Sequence, residues 1–247
     1  MEQSVDDSPL GQRVQHIGET IAVILVAYLC GIVAISLLDP LVSSLAATIE
    51  TTNVTQIVRT VIQFAAMMAV VVWYVWFLET DALVPVRLPD GKAVGLIVGG
   101  TIALLGSQFL INQLLQWADF APGANQAVLA GAGDPTYFLV MIPVSLLFVG
   151  PAEELLFRGA VQGRLRQSWG AWPAIVIATV LFGLIHIPGI TGGFGAQLSY
   201  ALLVGVLGLL LGYLYEYTQN IIVPSLVHGA YNGTLFGLLY LTEIGVV

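Results

Sequence analysis

The chain has 247 residues, of which 57% are hydrophobic and only 9% are charged. Soluble domains carry about a quarter charged residues, so this composition excludes a soluble surface and defines a membrane-integral protein. The net charge of -8, from 15 acids against 7 bases, is spread over loops and the N-terminus and excludes a nucleic-acid binder. The single Cys30 rules out an intramolecular disulfide and argues against a cysteine-rich metal site.

A spanning helix needs about 20 apolar residues. In chain order, seven apolar segments meet that need, over residues 20–38, 54–78, 93–117, 137–158, 172–187, 198–215 and 222–240. Turn signals separate them, among them Asp39-Pro40, Ala121-Pro122-Gly123, Gly133-Asp134-Pro135 and Gln219-Asn220. The fold class is therefore all-α, a polytopic bundle of about seven spans. A polar tail is expected over 1–18, N-terminal membrane helices over 19–136, and a catalytic core over 137–247. No cleavable signal peptide is expected, because the first apolar run is long enough to span. No internal repeat is visible, which argues against an inverted-repeat transporter. A retinal pigment needs a lysine in its last span, and the sole Lys92 lies in a loop.

The few bases set an orientation. Arg13, Arg87, Lys92, Arg164 and Arg166 flank one set of segment ends, and the loops 39–53, 118–135 and 188–197 contain no Lys or Arg. This places the protein in the cell membrane with the N-terminus cytoplasmic. Arg59 is the exception, expected to snorkel or to pair with Glu50. His16 is expected to be an exposed tail residue, Glu216 a helix-end charge, and Gly205, Gly208 and Gly212 a stripe for close helix packing.

An ionisable side chain at membrane depth is costly and marks a functional site by default. Three places break the apolar pattern: Glu153-Glu154-Leu155-Leu156-Phe157-Arg158, then Phe182 to His186, then His228 to Asn232. Glu154 and Arg158 are four apart and share a helix face, so they are expected to pair as structural support. Glu153 points about 100° away from Glu154 and is left free for general-base work on a water molecule. A turn at Ser168-Trp169-Gly170 joins the fourth and fifth segments. Glu153 lies 16 residues before Trp169 and His186 lies 17 after it, so a hairpin brings them to one depth. His228 and Asn232 share a face of the last segment. All four are expected to converge on one small cavity, opening toward the cytoplasm.

These three motifs, in this order on successive membrane helices, resemble the CPBP family of intramembrane proteases, which includes the CAAX prenyl endopeptidase and abortive-infection-type proteins. The likeness runs from about Val149 to Thr234 and includes Pro151 and Gly159. It implies an intramembrane endopeptidase acting on a membrane-associated peptide or protein. Glu153 would be the base, His186 would help bind and activate the water, and His228 with Asn232 would form the oxyanion site. Glu154 and Arg158 would support them. Metal-free hydrolysis is the favoured chemistry; if the reaction is metal-dependent, Glu153, His186 and His228 would hold a zinc ion. The alternative function is a non-catalytic membrane scaffold or immunity-type protein that keeps the fold.

Overall fold

A computed structural model of the chain describes residues 8–47, 53–77 and 84–247. Seven long helices run through these residues. They are α1 (Pro9–Ala46), α2 (Val54–Phe77), α3 (Gly91–Trp117), α4 (Pro135–Trp169), α5 (Ala171–His186), α6 (Phe194–Thr218) and α7 (Ile222–Glu243). Six of them are long and apolar enough to cross a membrane. The seventh, α7, has the length but is diluted by Pro224, His228 and Asn232. Among the described residues the only β pairing is an isolated bridge between Asn125 and Ile190.

Short polar side chains start the helices by satisfying orphan backbone N–H groups. Ser8 accepts from Gly11 N, Asp90 from Ala93 N and Asp134 from Tyr137 N. The expected polar tail is helical from Pro9 onward, because Ser8 and Pro9 form a cap and a first-turn proline. The turn between α4 and α5 needs Gly170, whose φ of 78° is unfavourable for a residue with a Cβ.

The surface is apolar where lipid would lie: Leu29, Leu37, Trp76, Phe109 and Leu114 are all exposed. The buried charges sit on α4. This helix contains two π-helical stretches, Ser145–Val149 and Leu155–Gln162, with the carboxylates between them. Pro151 has no N–H to give the carbonyl four residues back, and the first widened stretch ends just before it. Such π turns cluster at functional sites.

Helices α4 and α6 are parallel and pair at one constant offset of 50 residues. Arg158 donates to Gly208 O (3.0 Å), Gln162 donates to Gly212 O (3.1 Å), and Arg166 pairs with Glu216 (2.8 Å). Gly208 and Gly212 thus do what the glycine stripe implied, letting a long polar side chain reach a bare carbonyl. Gly205 does not: a Cβ there would meet nothing within 4 Å.

Helices α4 and α7 meet glycine to glycine. A Cβ on Gly150 would lie 2.7 Å from both Gly229 N and Ser225 O, and one on Gly229 would lie 2.8 Å from Leu146 Cα. Backbone atoms cannot swing aside, so Gly150→Ala is expected to cost about 1–3 kcal/mol. Thermal unfolding in detergent checks this, with Gly99→Ala, where nothing lies within 4 Å, as the unaffected comparison.

At the basic end, α1 is clamped to the α4–α5 turn. Arg13 Nε donates to Ser168 O (3.2 Å), His16 Nδ1 lies 2.9 Å from Ser168 Oγ, and Arg164 pairs with Glu19. His16 is 8% exposed, which corrects the reading of an exposed tail residue; a helical start to α1 carries it against Ser168. At the other end Arg59 pairs with Asp39, reached from the neighbouring helix, while Glu50 lies outside the described residues.

Candidate active site

Three elements bring the polar motifs together. The middle of α4 supplies Glu153 and Glu154, the last residue of α5 is His186, and α7 supplies His228 on its second turn. Glu153 is 5% exposed. Its Oε1 lies 3.9 Å from His186 Nε2 and its Oε2 lies 3.6 Å from His228 Nε2. Both separations exceed a direct hydrogen bond. The carboxylate therefore faces two ring nitrogens without being bound to either.

The opposite nitrogen of each ring is fixed. His186 Nδ1 lies 2.7 Å from Phe182 O. A carbonyl can only accept, so this nitrogen carries the hydrogen. His228 Nδ1 lies 2.8 Å from Glu154 Oε1, again a donor to an acceptor when the carboxylate is ionised. Both rings therefore turn Nε2 toward Glu153. Phe182 packs between them, edge-on to His186 at 4.6 Å and to His228 at 6.0 Å between ring centroids.

Glu154 does more than the sequence implied. Its other oxygen lies 3.1 Å from Arg158 Nε, at ion-pair distance but without hydrogen-bond alignment. Arg158 also reaches Gly208 O and stacks over Phe182 with its carbon 4.6 Å from the ring centre. One carboxylate thus neutralises the guanidinium and orients His228. Carboxylate–imidazole pairs that fix a ring for reaction work in this way.

Asn232 is half-buried and lines the same cavity as Glu153, His186 and His228. The cavity holds about 430 Å³. Sequence reasoning missed several of its walls. Ser145 lines the cavity, is fully buried, and has a hydroxyl without a protein partner. Asn125 donates to Tyr200 Oη at 3.0 Å, and both line the cavity. A serine in an apolar run and an asparagine in a turn carry no distinguishing pattern. Only the unpaired hydroxyl and the cross-loop bond give them away in three dimensions.

The cavity is expected to open toward the basic end, but most of its lining residues lie on the other side of Glu153. Along α4 the lining residues are Met141, Ser145, Val149 and Glu153, and none follows Glu153. The wall continues to Ala124, Asn125 and Val128, in the α3–α4 connection. Beyond Glu153, toward the basic end, Leu207 and Leu211 of α6 still line the cavity, while Leu156, Phe157, Ala160, Val161 and Leu165 of α4 are fully buried.

Two carboxylates, two imidazoles and a guanidinium, buried in a helical membrane bundle beside a cavity, define a polytopic membrane protein with a carboxylate–imidazole centre. Residues 135–234 match the family model described as type II CAAX prenyl endopeptidase, Rce1-like. The motif resemblance to the CPBP family therefore holds over this segment. The chain is also 34% identical over 90 residues, 36% of its length, to a Bacillus subtilis (strain 168) protein, YdiL, whose description as a membrane peptidase is itself provisional. The match spans 33% of that relative's length. No solved structure matches the chain.

Proposed function

We propose that the protein is an intramembrane endopeptidase that hydrolyses peptide bonds of a membrane-associated peptide or protein terminus. One observation carries this reading: the Glu153 carboxylate and the Nε2 atoms of His186 and His228 converge in a cavity that Asn232 also lines. The family likeness supports it. No prenyl group is assumed on the substrate.

A water molecule between these three groups can donate to Glu153 and to an Nε2 lone pair while its oxygen faces the peptide carbonyl. Glu153 takes the proton as the oxygen attacks, and gives it to the leaving amine as the bond breaks. The developing oxyanion needs preorganised donors. The Asn232 amide is one. His228 is the second when its ring carries both hydrogens, Nδ1–H toward Glu154 and Nε2–H toward the oxyanion. Two carboxylates against one guanidinium leave room for that positive charge.

Zinc accepts imidazole and carboxylate donors, and Glu153, His186 and His228 are the residues that would hold it and polarise the scissile carbonyl or the water. Among the described residues, no group of three or more His, Cys, Asp or Glu is arranged to hold an ion as it stands. The reading favoured is that the side chains alone activate the water. The test is cleavage of a membrane-peptide library by the whole chain in detergent, with and without chelator. Cleavage that survives chelation is expected. Complete inactivity overturns the endopeptidase, and activity lost to chelator and restored by zinc replaces the metal-free chemistry.

A further inference from the structure

We infer that the cavity takes its substrate from the face opposite the basic residues, as an extended segment of an exported or membrane protein presented on the extracytoplasmic side. This inference rests on the endopeptidase reading and adds to it the direction of approach and the form of the substrate.

The direction follows from which residues line the cavity and which do not. Every α4 residue on its wall lies at or before Glu153, and none comes from the α4–α5 or α6–α7 turns. The far end of the wall is Ala124, Asn125 and Val128. This segment is tied to the α5–α6 connection: Gly123 N donates to Ala196 O (3.1 Å), Thr191 N to Ala124 O (3.0 Å), and Asn125 bridges to Ile190. Ala124, Asn125 and Val128 form the rim of the cavity, with the α5–α6 connection packed against them.

The opposite end is shut beyond Leu207 and Leu211 of α6, the cavity's last wall residues on that helix. Arg158 and Gln162 hold α4 against α6, and Arg13 and His16 hold α1 against the α4–α5 turn. Five of the seven bases, Arg13, Arg87, Lys92, Arg164 and Arg166, lie at this shut end; Arg158 is buried and Arg59 is paired with Asp39 at the rim end. Short cytoplasmic segments carry the excess of Lys and Arg. The shut end is therefore cytoplasmic and the rim extracytoplasmic.

The form of the substrate follows from the chemistry. Inside a helix the peptide carbonyl is bonded to an N–H four residues on, so Glu153 can act on it only in an extended segment, whose freed amide and carbonyl groups then meet Asn125 and Tyr200 along the wall.

The test uses the full chain with Cys30→Ala as background and single cysteines at three places: Val128→Cys at the rim, Leu235→Cys on the cavity wall, and Gln167→Cys at the basic end. Each is checked for native thermal unfolding. A charged, membrane-impermeant thiosulfonate is added to intact spheroplasts. Val128→Cys and Leu235→Cys are expected to be labelled from outside, and Gln167→Cys only after lysis. Labelling of Gln167→Cys from outside, or a Leu235→Cys that stays unlabelled from outside, overturns the inference. A second arm takes a peptide cleaved in detergent and places it on either side of a single-span reporter. Cleavage confined to the extracytoplasmic version supports the inference, and cleavage of the cytoplasmic version overturns it. If nothing is cleaved in detergent, the endopeptidase reading fails while the labelling still decides the direction of the cavity.

Discussion

Glu153→Gln is expected to lower the turnover number by about 10²–10⁴-fold, the share general-base catalysis supplies, while leaving the unfolding temperature near that of the unchanged protein. The two effects separate because Glu153 makes no direct hydrogen bond to either histidine at 3.6 and 3.9 Å. Glutamine keeps its shape and polarity, so no buried partner is stranded. What disappears, on the mechanism proposed above, is the group that takes the water's proton. The neighbouring Glu154→Gln behaves differently. It removes charge from a side chain that both Arg158 and His228 lean on, so stability and turnover fall together. Initial rates on a detergent-cleaved peptide, with thermal unfolding of the same preparations, decide the matter. A fully active Glu153→Gln protein would remove Glu153 from the chemistry.

Arg158→Met is expected to be the most damaging single change to the fold. Arg158 is 1% exposed and its Glu154 partner is fully buried. Breaking a buried pair by removing one member typically costs about 3–5 kcal/mol, because the other charge is left uncompensated. The double change Glu154→Gln with Arg158→Met removes both charges and is expected to recover much of that loss, since apolar replacement of a whole buried pair is often close to neutral. Hydrolysis should lag behind stability in the double variant, because His228 Nδ1 then faces a neutral acceptor. Thermal unfolding of the three proteins in one detergent reads the first effect, and peptide cleavage the second. An Arg158→Met protein as stable as the unchanged chain would show that the pair holds nothing in place.

Much of this was legible in the order of residues, for a physical reason. In a chain with 9% charged residues, each polar side chain inside an apolar run stands out, and helical spacing then says which of them share a face. The hairpin count from Glu153 through Trp169 to His186 takes the two helices to have equal rise; the π-helical stretch Leu155–Gln162 breaks that equality, yet the two side chains still lie 3.9 Å apart. The double use of Glu154 was not legible, because its contact with His228 spans 74 residues and depends on two glycines letting α4 and α7 touch. The burial of His16 was hidden by a polar neighbourhood that reads as tail; its partner Ser168 is 152 residues away. The direction of the cavity was not legible, because depth along one helix does not reveal which end is packed. The rim is built from Ala124, Asn125 and Val128, residues that any connection carries.

The constant spacing between α4 and α6 has a bearing on how the bundle finds its alignment. Gly208 and Gly212 offer the same bare carbonyl to an incoming side chain, one helical turn apart. A slip of one turn would set Arg158 against Gly212 and Gln162 against Glu216, so the glycines alone are a vernier with two readings. Arg166 breaks the tie, because only the observed alignment gives it Glu216. An ion pair at the membrane surface, of the sort that adds little to stability, therefore acts as the index mark that sets the depth of the buried residues.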